Sequence, residues 1–166
     1  MKKLFQGNSM RRFFLVNLLT FQLVNLFGQL PSAYDITWTT PSNNPSESMP
    51  CGGGDIGMNV WVEKGELLIY LAQSGSLDEH NTMLKAGRIR VKFFPNPFEG
   101  GTFKQQLHLQ AGYITVEGES KGVKATIRIW ADVKMPVAHI AISSNKRITI
   151  EAAYENWRYQ DRVVKA

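Results

Sequence analysis

The sequence predicts an all-β protein behind an export signal. After residue 28, helical periodicity is nearly absent, and polar and apolar residues instead alternate with a period of two. Gly, Pro and Asn interrupt these alternating runs at short intervals, as turns between antiparallel strands do. Together these observations indicate an antiparallel sandwich or barrel in which neighbouring strands follow one another as a meander.

Residues 1–28 have the three parts of a cleavable signal peptide. The first part is basic and contains Lys2, Lys3, Arg11 and Arg12, and residues 13–27 form an apolar core. This core is shorter than the roughly 20 apolar residues of a membrane-spanning helix, so an uncleaved anchor is the weaker alternative. Cleavage is expected after Gly28 or Ala33. The mature protein is then expected in the periplasm or outside the cell.

The basic character of the chain comes mainly from this leader. Of 19 Lys and Arg residues, four lie before Gly28, whereas none of the 14 Asp and Glu residues do, so 15 bases face 14 acids in the mature part. Nucleic-acid binding, which needs clustered basic residues, is therefore not expected. The single cysteine, Cys51, excludes a disulfide framework and is expected to be a small buried residue in a tight loop. The predicted division is a signal peptide at 1–28, a lead-in at 29–48 and a β domain at 49–166.

The strands are predicted in order along this domain. Residues 56–63 and 66–73 alternate on either side of Lys64-Gly65, which is typical of a hairpin. Residues 74–87 are polar and turn-rich, with room for one helical turn at 81–85. Further strands are predicted at 88–94, 102–110, 112–119, 123–131, 137–143 and 148–154, with a second hairpin turn at 120–122.

The end of the chain is expected to be incomplete as a fold. The last predicted strand is followed closely by the aromatic residues Trp157 and Tyr159, with no closing element. A final strand with an unpaired edge is a liability unless more protein covers it. We therefore expect the natural protein to continue beyond Ala166.

Four segments resemble the N-terminal β-sandwich domain of family 95-type glycoside hydrolases. They are the glycine loop at 50–57, the strand at 87–93, the strand at 103–109 and the segment at 128–136 that runs to Pro136. The chain departs from the family pattern at 71–75, which is typical of a divergent branch. The resemblance implies an antiparallel β-sandwich, a supersandwich-like meander, in a secreted polysaccharide-degrading protein of a Gram-negative bacterium. It also implies that the catalytic carboxylates lie in a helical barrel that follows, so no catalytic residue is carried over.

The glycine loop and the aromatic tail supply the candidate binding residues. The loop lacks the helix that a dinucleotide site needs and the Lys-Ser/Thr that ends a P-loop, so it is expected to be a tight turn. Asp55 on this turn could face the sugar pocket of a neighbouring domain. Trp157 and Tyr159 could form a sugar platform or, more naturally, an interface to the missing domain. Trp61 and Trp130 are expected in the core, and His108 and His139 as satisfied sheet or core histidines.

The remaining polar residues leave other chemistry open. Asp78-Glu79-His80 is the densest polar triplet, but consecutive residues rarely converge on one ion, so a solvated loop is favoured over a metal site. Glycoside hydrolysis needs two carboxyl groups about 5–10 Å apart, and nothing selects a pair among Asp55, Asp78, Glu79 and Asp132. No metal and no cofactor are expected.

The sequence thus supports three functional hypotheses. The favoured one is a non-catalytic N-terminal domain of a secreted glycoside hydrolase-like protein, packed on a C-terminal helical catalytic domain, with a glycan as a possible ligand. The second is a free-standing carbohydrate-binding or adhesion module. The third, ranked lowest, is a complete small hydrolase that uses the loop carboxylates.

Overall fold

The computed structural model describes residues 32–78 and 80–156. The chain divides into two units, and of the first, Met1–Tyr34, only a 3₁₀ turn at Ser32–Tyr34 is described. The predicted signal peptide at 1–28 therefore lies outside the described residues. In the part that is described, no helix is long and apolar enough to cross a membrane.

The second unit, Asp35–Ala166, contains two antiparallel five-stranded sheets that pack on each other through one core, which confirms the predicted β-sandwich. Sheet A has the strand order β1-β6-β7-β8-β9, and sheet B has the order β10-β5-β4-β3-β2. The strands are β1 (Ile36–Trp38), β2 (Met49–Gly53), β3 (Ile56–Glu63), β4 (Glu66–Leu77), β5 (Met83–Phe94), β6 (Thr102–His108), β7 (Tyr113–Ser120), β8 (Val123–Ala131), β9 (Ala138–Ser144) and β10 (Thr149–Glu155). A 3₁₀ turn at Pro45–Glu47 lies between β1 and β2.

The predicted meander is confirmed within each sheet, because β2 to β5 are consecutive neighbours in sheet B and β6 to β9 are consecutive neighbours in sheet A. Both predicted hairpins are present, between β3 and β4 and between β7 and β8. Their turns, Lys64-Gly65 and Lys121-Gly122, have positive φ at both positions. Such turns match the right-handed twist of the flanking strands. The meander does not extend across the whole fold, because β1 and β10 each join the sheet opposite to the strand beside them in sequence.

Three local features differ from the predicted elements or add to them. The segment 81–85, which left room for a helical turn, does not form one, because β4 continues to Leu77 and β5 begins at Met83. The lead-in at 29–48 contributes β1, which pairs with β6. Gly52 and Gly53 belong to β2, and only Gly54 of the glycine loop has positive φ, 55°.

The core lies between the sheets and consists of apolar side chains at alternate strand positions. Its most deeply buried members are Met49, Val60, Val62, Leu67, Ile69, Val91, Phe93, Ile114, Val116, Ile127 and Ile129. On β5, Val91 and Phe93 are buried, and Ile89 on the same face packs against the core cluster. On β6, Leu109 follows the strand and is exposed, whereas Gln105 is buried.

Of the two strand tryptophans, Trp61 is buried as predicted, although it lies outside the cluster between the sheets, whereas Trp130 is not a core residue. Trp61 is fully buried, but it is on the opposite face of β3 from the core residues Val60 and Val62 and contacts Tyr70 with a ring-centroid distance of 4.7 Å. Trp130 is half-buried, on the outer face of sheet A, so its assignment to the core is wrong. Cys51 is half-buried in β2 rather than in a loop, and desolvation raises the pKa of its thiol.

Candidate functional site

The turn that carries Asp55 lies against the loop that carries Asp132. A Cβ built on Gly54 would meet the backbone oxygens of Val133 and Asp132 at 3.2 and 3.3 Å, so the turn between β2 and β3 closely approaches the loop after β8. The structure therefore brings together the loops of two of the predicted carboxylates. Asp55 is exposed, and its carboxyl group makes no hydrogen bond or ion pair with the residues that the structure describes.

Asp132 stabilises its own loop. Its Oδ1 accepts hydrogen bonds from the backbone N–H groups of Lys134 at 2.7 Å and Met135 at 3.1 Å. These bonds lower the pKa of the Asp132 carboxyl, with a smaller contribution from His139, whose Nε2 lies 3.8 Å from Oδ2. A carboxylate held in its ionised form in this way is a poor general acid, because a general acid needs a raised pKa.

Asp78 has the same role in the turn between β4 and β5. Its Oδ1 accepts hydrogen bonds from the backbone N–H groups of His80 at 2.9 Å and Thr82 at 2.8 Å, and these bonds lower its pKa. Glu79, the middle residue of the predicted triplet, lies outside the described residues. Among those described, no group of three or more His, Cys, Asp and Glu side chains could hold a metal ion.

The main polar and aromatic cluster lies on the outer face of sheet A. Strand pairing places His108, Tyr113, Trp130 and His139 directly opposite one another on β6, β7, β8 and β9. The centroids of His108 and Tyr113 are 4.4 Å apart, and Trp130 and His139 stack at 4.8 Å with an interplanar angle of 11°. Arg128 joins the two pairs.

The guanidinium carbon of Arg128 lies 3.9 Å from the ring centroid of Tyr113 and 5.4 Å from that of Trp130. We call these five residues (His108, Tyr113, Arg128, Trp130 and His139) the sheet A stack. A guanidinium over an aromatic face is attracted by the ring quadrupole. Each ring of the stack therefore has at least one ring or guanidinium neighbour.

A carboxylate lies at each end of the stack. Asp35 places Oδ2 3.3 Å from His108 Nδ1, and its Oδ1 accepts a hydrogen bond from the backbone N–H of Leu109 at 3.1 Å. Asp132 is beside His139 at the other end. The predicted role of His108 and His139 as satisfied sheet histidines fits these contacts, but neither residue is in the core.

Sheet B carries a different cluster on its outer face, in which the arginines are paired with acidic residues. Glu155 Oε2 lies 2.5 Å from Arg88 Nη2, and Glu155 Oε1 lies 2.5 Å from Arg90 Nε. Arg90 also pairs with Glu66. The hydrogen bond from Arg90 is the main cause of the lowered pKa of Glu155. These arginines are therefore engaged by acids of the chain itself.

Comparison with known proteins identifies the family of the domain. The family described as a domain of unknown function (DUF5703) matches residues 37–166 through its N-terminal model. The chain belongs to this family. No curated protein matches it. The matched range begins within β1 and so includes all of the strands from β2 onward.

Two of the three predicted site residues, Trp157 and Tyr159, lie outside the described part of the chain, so the structure places only Asp55. The sequence reasoning missed the sheet A stack. One available signal was the turn at 120–122, because a hairpin that pairs Ser120 with Val123 necessarily pairs Tyr113 with Trp130. The same register also places both rings on the solvent-facing side of the sheet.

Proposed function

We propose that this DUF5703 domain is the non-catalytic N-terminal sandwich of a secreted glycoside hydrolase-like protein, and that it packs on a helical catalytic domain that follows it. The supporting observation is the state of strand β10. All residues from Thr149 to Tyr154 are exposed, including the large apolar side chains Ile150 and Tyr154, at 42% and 59%. On the adjacent β5, the residue opposite Ile150 is Phe93, which is 1% exposed.

The core-facing side of sheet B is therefore buried at β5 but exposed to solvent at β10. Among the described strands, β10 pairs only with β5, so its other edge has no strand partner in this part of the chain. Exposed strand edges and apolar side chains of this kind are typical of surfaces that another protein segment covers. A following domain of the same chain is the partner that the glycoside hydrolase resemblance supplies.

The state of the loop carboxylates supports a role without catalysis. Asp78 and Asp132 are bound to backbone N–H groups that lower their pKa values. Retaining and inverting glycosidases both need one carboxylic acid that stays protonated near neutral pH. Asp78 and Asp132 therefore do not fit the role of this acid.

The packing proposal is tested in the longer protein that it predicts. Ile150→Glu is expected to disrupt the interface, so that the sandwich and the helical domain unfold in separate calorimetric transitions. Val133→Glu is the matched control, because Val133 is an apolar residue on the loop after β8 and is 74% exposed. A stop codon directly after Ala166 would refute the proposal, as would an unchanged single transition in Ile150→Glu.

The absence of catalysis is tested on the isolated chain. Polysaccharide hydrolysis is expected to be undetectable in the unsubstituted chain and equally so in Asp55→Asn and Asp132→Asn. Glycosidase activity that either substitution abolishes would instead establish the chain as a hydrolase.

A carbohydrate-binding module is the second candidate function, and the sheet A stack favours it. The stack combines aromatic rings, imidazoles and a guanidinium on one half-exposed sheet face, with a carboxylate at each end. Calorimetric binding of glycans by a chain that ends at Ala166 in nature would favour the module over the scaffold.

A further inference from the structure

We infer that Arg128 is the centre of a binding site for the carboxylate of a uronic acid residue in an acidic polysaccharide. The ligand class, a polysaccharide, rests on the proposed function. The position and the charge of the site rest on the geometry of the sheet A stack. The expected ligand is an oligosaccharide that lies across β7 and β8.

The first support is that Arg128 is held in place without being neutralised. Its guanidinium contacts the rings of Tyr113 and Trp130, at 3.9 and 5.4 Å from their centroids. No carboxylate forms an ion pair with it among the residues that the structure describes. Arg88 and Arg90 on sheet B provide the contrast, because both are paired with Glu155.

A stacked guanidinium keeps its N–H groups directed away from the rings, in the planar fork that matches a carboxylate. Arg128 is itself exposed, so this fork is accessible to a ligand. Less conformational entropy is lost on binding when the side chain is already ordered by its neighbours. The arrangement therefore favours a planar anion over a neutral group.

The second support is that polar groups of Tyr113 and Trp130 lie beside Arg128. His108 and Arg128 contact Tyr113 from the neighbouring strands β6 and β8, at 4.4 and 3.9 Å from its ring centroid. These contacts hinder a sugar from stacking flat on this ring. The Tyr113 hydroxyl and the Trp130 indole N–H make no hydrogen bond with any described residue and remain available to sugar hydroxyls.

The charges at the ends of the stack define where an anion would lie. Asp35 beside His108 and Asp132 beside His139 repel a carboxylate at either end. Arg128 in the middle attracts it. A ligand that has hydroxyl groups beside each carboxylate, as a uronic acid has, fits this site better than an acidic polypeptide such as polyglutamate, whose side chains have none.

The test is isothermal titration calorimetry of the chain with oligomers of galacturonic acid and of mannuronic acid, and with their neutral methyl esters. At least one acid oligomer is expected to bind, and its ester to bind more weakly by about tenfold or more, the factor of one charge-assisted hydrogen bond. Arg128→Ala is expected to cause a similar loss. Arg128→Lys, which keeps the charge but not the planar fork, is expected to fall between Arg128→Ala and the unsubstituted protein.

Arg147→Ala is the matched control, because Arg147 is an exposed arginine in the turn before β10 and has no ring contact among the described residues. It is expected to bind the acid oligomers like the unsubstituted protein, and circular dichroism would verify that each variant keeps its β-sheet signature. Equal binding of acid and ester, or unchanged binding by Arg128→Ala, would overturn the inference. Polyglutamate that binds as tightly would overturn it in favour of an acidic peptide.

If neither acid oligomer binds, the uronate site is also refuted. The scaffold role would survive that result, because it is tested separately by the unfolding of Ile150→Glu in the longer protein.

Discussion

Gln105 on β6 donates a hydrogen bond from Nε2 to the backbone oxygen of Val60 on β3, 3.0 Å away, and so joins the two sheets through the core. Gln105 has no exposed surface, and its Oε1 accepts no hydrogen bond from the described residues. A buried polar atom without a partner costs about 1–3 kcal/mol. The amide therefore contributes less to stability than its one hydrogen bond suggests.

We predict that Gln105→Met changes the free energy of unfolding by less than about 1.5 kcal/mol, because Met has a similar shape and removes the unpaired oxygen together with the donor. Gln105→Glu should instead destabilise the protein strongly at neutral pH, since it buries a charge. Burial raises the pKa of such a carboxyl, so this variant should recover stability as the pH falls. Urea denaturation at neutral and mildly acidic pH measures both effects. A Met variant as unstable as the Glu variant would show that the link to Val60 is essential.

Tyr154 on β10 lies across Gly87 on β5. Its hydroxyl donates a hydrogen bond to the backbone oxygen of Ala86 at 2.6 Å, and a Cβ on Gly87 would meet the Tyr154 ring at 2.6–2.7 Å. Gly87→Val should therefore displace the ring and destabilise the sandwich by about 1–3 kcal/mol. In the double variant Gly87→Val, Tyr154→Ala, the two effects should not add, because removal of the ring also removes the clash. Additive changes in the denaturation midpoints would contradict this contact.

The strands were predictable where alternation and a turn signal coincide. Residues 56–63 and 123–131 are strands with the predicted bounds, since each adjoins a Lys-Gly turn that fixes its end. The polar continuation of β4 to Leu77 was not predictable, because those residues bury little and the pairing with β5 resumes only at Leu77, opposite Met83, after an irregular stretch. The three-residue β1 is too short to have a period of its own and depends on β6.

The candidate site was harder to predict from the sequence than the strands, because it depends on how separate strands are paired. Tyr113 and Trp130 share a hairpin, so their proximity follows from the turn. His139 joins them only because the loop from Asp132 to Val137 returns the chain in the correct register, and no residue pattern specifies that return. Trp130 also illustrates how composition misleads, because tryptophan in a strand suggests core whereas this ring is on the solvent side.

Acidification should weaken the outer face of sheet B. The hydrogen bonds from Arg90 and Arg88 lower the pKa of Glu155 in the folded state, so this carboxylate stabilises the fold above its unfolded pKa of about 4.3. That contribution is lost as the pH falls through the lower folded value. Glu155→Gln should therefore be less stable than the unsubstituted protein at neutral pH, and the difference should shrink at acidic pH. Urea denaturation over this range measures it, and a pH-independent difference would contradict the ion pairs.

The two hairpin turns should be open to stabilisation. Lys64 and Lys121 have φ values of 51° and 52°, in the left-handed region that costs a residue with a β-carbon about 1–2 kcal/mol. Asn tolerates this conformation better and is the preferred residue before Gly in such turns. Lys64→Asn and Lys121→Asn should each raise the free energy of unfolding by up to about 1 kcal/mol. Lys124→Asn is the control, because Lys124 is an exposed residue within β8, and Asn is depleted in strands. In thermal denaturation, the midpoint should rise for the two turn variants and should not rise for Lys124→Asn. A rise in the control alone would contradict the turn assignment.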